Sequence, residues 1–301
     1  MNEGAVAFID CLGWKGIWRR TSAQLVIDRI KAIKTIAEDE ARKFTTSFNL
    51  MFGNMRIHQT FISDTVAIGV DVEKKSELSH AARGMLILTV AAIAQRVSAH
   101  LILGTPPLSV RGSVFYGQFE IQDSIVIGEA IDQVASTHEL ADGAFIWIPP
   151  ELDKSVEAFW AYSAQNISAL DEKSVFERYE QFIEDGKNYG PEFAFFKELA
   201  KTEPAKYKKW LIWSASAGFL RYSVPIKSQG PVACIVPNPI IGSLKNPSVM
   251  IQQYRIAMES KDPAVETKKE NTLRFLEYSV NDFNIKLGLL REAILPGVLY
   301  R

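Results

Sequence analysis

Ala5-Val6-Ala7-Phe8-Ile9-Asp10-Cys11-Leu12-Gly13-Trp14 is the stretch on which the fold turns. Its first half is a brief apolar run that stops at a polar turn, the pattern of a buried strand. The run stops at a carboxylate, and a short turn with Gly13 follows. Backbone N–H groups in such a turn are able to cradle a phosphate, and the adjoining carboxylate is able to hold a divalent ion. Asp and Gly are also ordinary turn residues, so from this stretch alone a plain capping role for Asp10 is the commoner reading.

Outward from it, residues 22–43 carry Leu25, Ile30, Ile33, Ile36 and Ala37 at helical spacing, with Ser22 as N-cap. Residues 45–52 and 55–62 read as strands. Ser63-Asp64 punctuates the second of these, and Thr65 to Val70 resumes at once, which predicts a β-hairpin with Asp64 at its tip. Residues 77–99 predict a long apolar helix, Leu108 to Phe119 a strand containing Gly112 and Gly117, Ser124 to Ile127 another strand, and Gly128 to Leu140 a helix opened by a glycine turn. The order β-α-β-β-α-β predicts an α+β fold on the ferredoxin-like plan, with helices on one face of the sheet. We read residues 1–150 as this core and 151–301 as an elaboration packed on it. The second half is helical, with a β-hairpin near 219–236.

Composition bounds the function. The 301 residues are 47% hydrophobic and 23% charged, a globular mixture. Lys plus Arg is 34 against 35 Asp plus Glu, a net charge of −1, which argues against a stable nucleic-acid partner. Cys11 and Cys234 cannot form a disulfide framework or a metal-ligand cluster. The N-terminus lacks a basic region followed by an apolar one, and the longest apolar stretch, Gly84 to Ala94, is short for a bilayer. The expectation is a cytoplasmic protein with no membrane partner. His58, His80, His100 and His138 show no paired spacing and read as surface or structural residues. The aromatic group Trp147, Phe159, Trp160, Trp210 and Trp213 reads as core.

If the first strand lies beside the hairpin, Asp10 and Asp64 meet at the sheet edge. Two converging carboxylates repel unless a cation or proton sits between them. Hard oxygen ligands suit Mg²⁺ or Mn²⁺.

In order, these pieces resemble the class III nucleotidyl cyclase catalytic domain, over about residues 5–140. That family has a strand ending in Phe-x-Asp, here Phe8 and Asp10, and a turn with Gly and an aromatic, here Gly13 and Trp14. A hairpin with a second Asp follows, here Asp64; then an Arg-Gly strand, here Arg111 and Gly112; then a Gly-led helix, here Gly128 and Asp132. The resemblance implies two Mg²⁺ or Mn²⁺ ions on Asp10, Asp64 and a backbone carbonyl near Cys11, with N–H groups of Cys11, Leu12, Gly13 and Trp14 on the phosphates. It also implies a head-to-tail homodimer. Lys227 resembles the phosphate-binding lysine of the family's last hairpin, and Arg111 is an alternative cation.

The departures fall where purines are read. Four residues before Asp64, where the family has Lys or Glu, stands Thr60; the second base-reading position is Ile125. The helix Asn and Arg positions hold Asp132 and Ser136. The pattern is most similar to the bacterial Pycsar pyrimidine cyclases. This implies UTP as substrate, cyclic UMP as product, and a separate effector responding to it in antiphage defence. CTP, a catalytically inactive cyclase-like module, and a Palm-type polymerase domain are the alternatives. The last normally has an adjacent acidic pair, but Thr65 follows Asp64.

Overall fold

The structure, a computed structural model, describes residues 1–12, 21–29, 31–32, 35–36, 38–39, 55–62, 64–73, 77–123, 125–177, 198–240 and 247–294, with side chains as far as 289. Gly13, Trp14, Ser63 and the strand expected over 45–52 lie outside the described residues.

The apolar run becomes β1 (Asn2–Cys11), buried almost throughout. It lies between β3 (Thr65–Val72) and β4 (Val110–Gln122), antiparallel to both. With β2 (Met55–Ile62) hairpin-paired to β3, the order is β2-β3-β1-β4, and β5 (Ile125–Ile127) extends it. This is the strand order of the ferredoxin-like plan. A short parallel strand, β6 (Ile146–Trp147), pairs with β4 at Gly112 and Ser113.

One feature of the expected layering changes. Helices cover both faces of the sheet, not one. On one face Ala5, Ala7 and Ile9 pack with α1 (His80–Ile102); on the other Val6 and Phe8 pack with α2 (Glu129–Thr137), through Ala130, Ile131 and Val134. Successive strand residues point to opposite faces, so a five-residue apolar run requires a cover on each side.

Helix α1 begins at Ser79, whose hydroxyl accepts the Ala82 N–H at 3.2 Å. It extends beyond the apolar stretch noted in the sequence and is long and apolar enough to cross a membrane, with mean hydropathy 1.6. In this fold 83% of that window is buried within the protein. Such a helix, apolar nearly all round, needs neighbours on every side. The sheet supplies one, and α3 (Asp153–Ala169), with α4 (Pro204–Ala217) beyond it, supplies the other.

The remaining chain adds the hairpin of β7 (Phe219–Ile226) and β8 (Gly230–Pro237), then α5 (Pro247–Ala257) and α6 (Pro263–Ile294). The hairpin is tied to the core by backbone bonds: Ile148 N–H to the Ile235 carbonyl at 2.8 Å, Asp142 N–H to Pro225 at 2.8 Å, and Lys227 N–H to Leu140 at 2.9 Å. On α6, the buried Thr272 hydroxyl accepts the Ala144 N–H at 2.8 Å, and Asn271 donates to the Asp142 carbonyl at 2.8 Å. The long last helix thereby fixes the 142–144 segment under the hairpin.

Candidate active site

Asp10 stands one residue before the end of β1, on the face shared by Val6 and Phe8. Its register partners are Thr65 on β3 and Arg111 on β4. The hairpin tip is drawn to the strand end by the Cys11 N–H, which donates to the Asp64 carbonyl at 3.2 Å. Two aspartates far apart in sequence therefore stand at one edge of the sheet.

Burial raises the Asp10 carboxyl above the ordinary range; Arg111 opposes the shift and the charge of Asp64 adds to it. The same environment pushes the Cys11 thiol up to about 12, through burial first and then the charges of Asp10 and Asp64. Cys11 is thus a buried, protonated thiol, unsuited to nucleophilic chemistry.

Arg111 does not stand free for a phosphate. Its Nε and Nη2 both donate to Asp10 Oδ2 at 3.2 Å, its Nη1 donates to the Glu139 carbonyl at 3.1 Å, and its Nη2 lies 3.3 Å from Glu139 Oε2. Lys227 arrives at the same place from the hairpin turn, its Nζ donating to the Glu139 carbonyl at 2.7 Å. Partial burial, with the charges of Arg111 and Lys268, lowers the Lys227 ammonium from its ordinary value. Two cations from separate halves of the chain thus converge on one carbonyl beside Asp10.

Two further residues at the site carry no signal in the sequence. His138 and Glu139, just beyond α2, place ligand atoms within 4.8 Å of each other and of an Asp10 oxygen. His138 also meets Phe8 edge-on, with ring centroids 5.8 Å apart. The surface or structural role read for His138 omits this neighbourhood, because only the packing of α2 over β1 brings it there.

Two amides of the turn after Asp10 are already bonded within the fold. The Cys11 N–H is committed to Asp64, and the Leu12 N–H donates to the Ser109 carbonyl at 2.9 Å. In this structure both amides close the sheet edge. Gly13 and Trp14 lie outside the described residues.

Thr60, expected from the resemblance to face the base, lies near the turn that precedes Ile125. Thr60 is buried, and its hydroxyl donates to the Asp123 carbonyl, two residues before Ile125. Ile125 itself is 57% exposed. Asp132 and Ser136 are exposed on α2. Gly112 serves packing, because a β-carbon there would overlap the Phe8 carbonyl oxygen; at Gly117 a β-carbon would meet Ala130 in ordinary contact at 3.5 Å.

The donor set fits a hard divalent ion. Both Arg111 bonds to Asp10 fall on the same oxygen, Oδ2, and Asp64 lies close enough to raise the Asp10 pKa. Carboxylate oxygens of this kind are the usual ligands of Mg²⁺ and Mn²⁺.

No family model matches the chain, and no curated protein matches it. Among solved structures it is similar to the guanylate cyclase domain of RhGC from Catenaria anguillulae in complex with GTP, at 10% identity and a TM-score of 0.40, covering 78% of this chain and 96% of that one. A second is the dimeric guanylyl cyclase domain of the RhoGC fusion protein from Blastocladiella emersonii, at 14% identity and 0.38, covering 52% and 85%. A third is the catalytic core of a rhodopsin-guanylyl cyclase with converted specificity, in complex with ATPαS, at 11% and 0.39, covering 78% and 95%.

Proposed function

We propose that the protein is a nucleotidyl cyclase that converts UTP to cyclic UMP and pyrophosphate. The observation that carries this reading is the meeting of Asp10, at the end of the central strand, with Asp64 at the adjoining hairpin tip. In the reaction the ribose 3′-oxygen bonds to the α-phosphorus while the bond from that phosphorus to the pyrophosphate oxygen breaks, and the hydroxyl proton passes to solvent.

Asp10 and Asp64, with the Cys11 carbonyl, would hold two Mg²⁺ or Mn²⁺ ions. When bound, these supply positive charge that acidifies the hydroxyl and offsets charge on the phosphates. Among this chain's own residues, Arg111 holds the Asp10 carboxylate in one orientation. Lys227, supported by the Glu139 carbonyl, takes the place of the helix arginine that Ser136 lacks. A cation aimed at developing phosphate charge is usually a leading contribution to such catalysis.

The pyrimidine preference rests on Thr60 and Ile125, which carry no charged group to read a purine. A site with buried polar readers rejects the wrong ring because those readers are left unpaired. Here that penalty is missing, and Thr60 is already engaged with Asp123. The step from pyrimidine to UTP, and the place in antiphage signalling with a separate effector, rest on the Pycsar resemblance.

A homodimer is part of the proposal. Ile62, Ile125 and Ile127 expose apolar surface on β2 and β5, and a two-fold pair closing over it would make two equivalent sites. Sedimentation velocity at assay concentration should show a dimer; an active monomer would overturn that part.

Incubation with the four nucleoside triphosphates and Mn²⁺, with products separated by mass, tests the whole reading. A cyclic mononucleotide is expected. No turnover would favour a binding module, and oligomers a Palm-type polymerase.

A further inference from the structure

A cavity of about 360 Å³ lies away from the carboxylates, between α1 and the C-terminal elaboration. Its walls include Met85 and Leu88 of α1, Phe159 of α3, and Phe219 at the start of β7. Concave, mostly apolar spaces of this size with a few polar groups are the usual form of small-molecule sites.

Two of its polar groups lack partners among the described residues. Gln95 is 6% exposed, and its Nε2 is buried with no hydrogen-bond partner among the described residues; the same holds for the indole Nε1 of Trp213. Both residues line the cavity, one from α1 and one from α4. Both orphans are donors. Leaving a buried donor unmade is costly, and native proteins seldom do so without a reason. Among the described residues the lining also contains the side chain of Arg96. The two orphaned donors therefore ask for an acceptor with two lone-pair-bearing oxygens on an apolar body.

We propose that this cavity is a binding site for a small amphipathic monocarboxylate. The carboxylate accepts from Gln95 and Trp213 beside Arg96, and the hydrocarbon or ring lies against Met85, Leu88, Phe159 and Phe219. The site is separate from the reaction centre. Phe219 and Pro237, which both line it, form the end of the β7–β8 hairpin opposite the turn that carries Lys227. An eight-residue strand places these ends roughly 25 Å apart. An occupant is accordingly an effector or a stored ligand, not the substrate of the Asp10 site.

Sodium decanoate is the probe, titrated into the full chain below its micelle concentration and followed by calorimetry and tryptophan fluorescence. The expected result is saturable one-to-one binding. Gln95→Leu should weaken it at least tenfold, and Ala92→Phe, which fills the space, should abolish it. Gln95→Leu supplies a second readout, since removing an orphaned donor should raise the melting temperature of the ligand-free protein by roughly 2–4 °C. Absence of saturable binding, or binding indifferent to Gln95→Leu, would overturn the proposal. A lower melting temperature in that variant would do so as well, because the amide would then have a partner in the empty protein. Should Ala92→Phe fail to fold, Gln95→Leu and Trp213→Phe decide the matter. Phosphatidylcholine vesicles competing for the same Gln95-dependent site would overturn the free-acid assignment in favour of a lipid chain.

Discussion

Arg111 donates through Nε and Nη2 to a single oxygen of Asp10, both at 3.2 Å, from the position directly opposite it on the neighbouring strand. The pair is buried, so the guanidinium and carboxylate hold each other in one orientation, and neither is freely rotating in solvent. The candidate metal carboxylate is thus positioned before any ion arrives. Removing the arginine would leave Asp10 buried and uncompensated, which is more damaging than the pair is stabilising.

Asp64→Asn keeps the shape of the hairpin tip and removes one carboxylate. The bond that ties the tip to β1 uses the Asp64 backbone carbonyl and survives the change. Turnover should fall by about 100-fold or more while the melting temperature holds. Near-normal product formation in a mass-resolved assay would remove Asp64 from the proposed machinery.

Lys227 should matter through its charge. Lys227→Met should lower kcat by roughly 10–100-fold with little change in thermal stability, since its own N–H bond to Leu140 is a backbone one. Lys227→Arg should recover part of the loss. Equal activity in wild type and Lys227→Met would assign the lysine to the Glu139 carbonyl alone.

Among equal concentrations of ATP, GTP, CTP and UTP, cyclic UMP should dominate. A predominance of cyclic AMP or cyclic GMP would refute the pyrimidine reading. Cyclic CMP as the main product would refute only the choice of UTP.

Asp71 gives a pH signature unrelated to catalysis. It is buried beside Arg56, which donates to both carboxylate oxygens at 3.0 and 2.7 Å, and His58, whose Nε2 lies 3.3 Å away. Burial pushes its pKa up, but the hydrogen bonds from His58 and Arg56 together prevail and hold it below the ordinary value. A depressed folded pKa contributes stability that is present above the unfolded value, near 3.9, and is lost as pH falls through the folded one. Asp71→Asn should cost about 1–3 kcal/mol at neutral pH. Denaturant titrations from pH 7 to pH 3 should show the gap to wild type closing below about pH 4; a constant gap would contradict the assignment.

Gly128 has φ of +125°, and a β-carbon there would overlap the Gln118 carbonyl oxygen. Gly128→Ala should destabilise by about 1–3 kcal/mol and loosen α2, which carries His138 and Glu139 beside Asp10. Urea unfolding measures the first effect; an unchanged midpoint would show that the turn adapts.

Much of the core was legible because its pattern is local. The unbroken run Ala5 to Ile9, the interruption at Ser63-Asp64 and the glycine before Glu129 each leave a signature within a few residues, and β1, β2, β3 and α2 formed where those signatures lie. Asp10 and Asp64 were nameable because each ends or punctuates such an element. The placement of α2 was not legible. Whether two helices share one face depends on how each crossover packs, and the apolar run is equally apolar toward both sides.

What the sequence by itself determined is the succession of core elements along the chain, a carboxylate after the first apolar run and another in the hairpin turn, and the absence of charge at positions 60 and 125. What only the tertiary structure decided is how those groups are employed. Arg111 is bound to Asp10, the Cys11 and Leu12 amides close the sheet edge, and Lys227 and Glu139 meet beside Asp10 across 88 positions of sequence. Local periodicity reports which face of an element is buried, because that depends on the spacing of a few neighbouring residues. It carries no information on which distant backbone amide or carbonyl will satisfy a given polar group. Those pairings are set by three-dimensional packing, where every buried donor must find its acceptor.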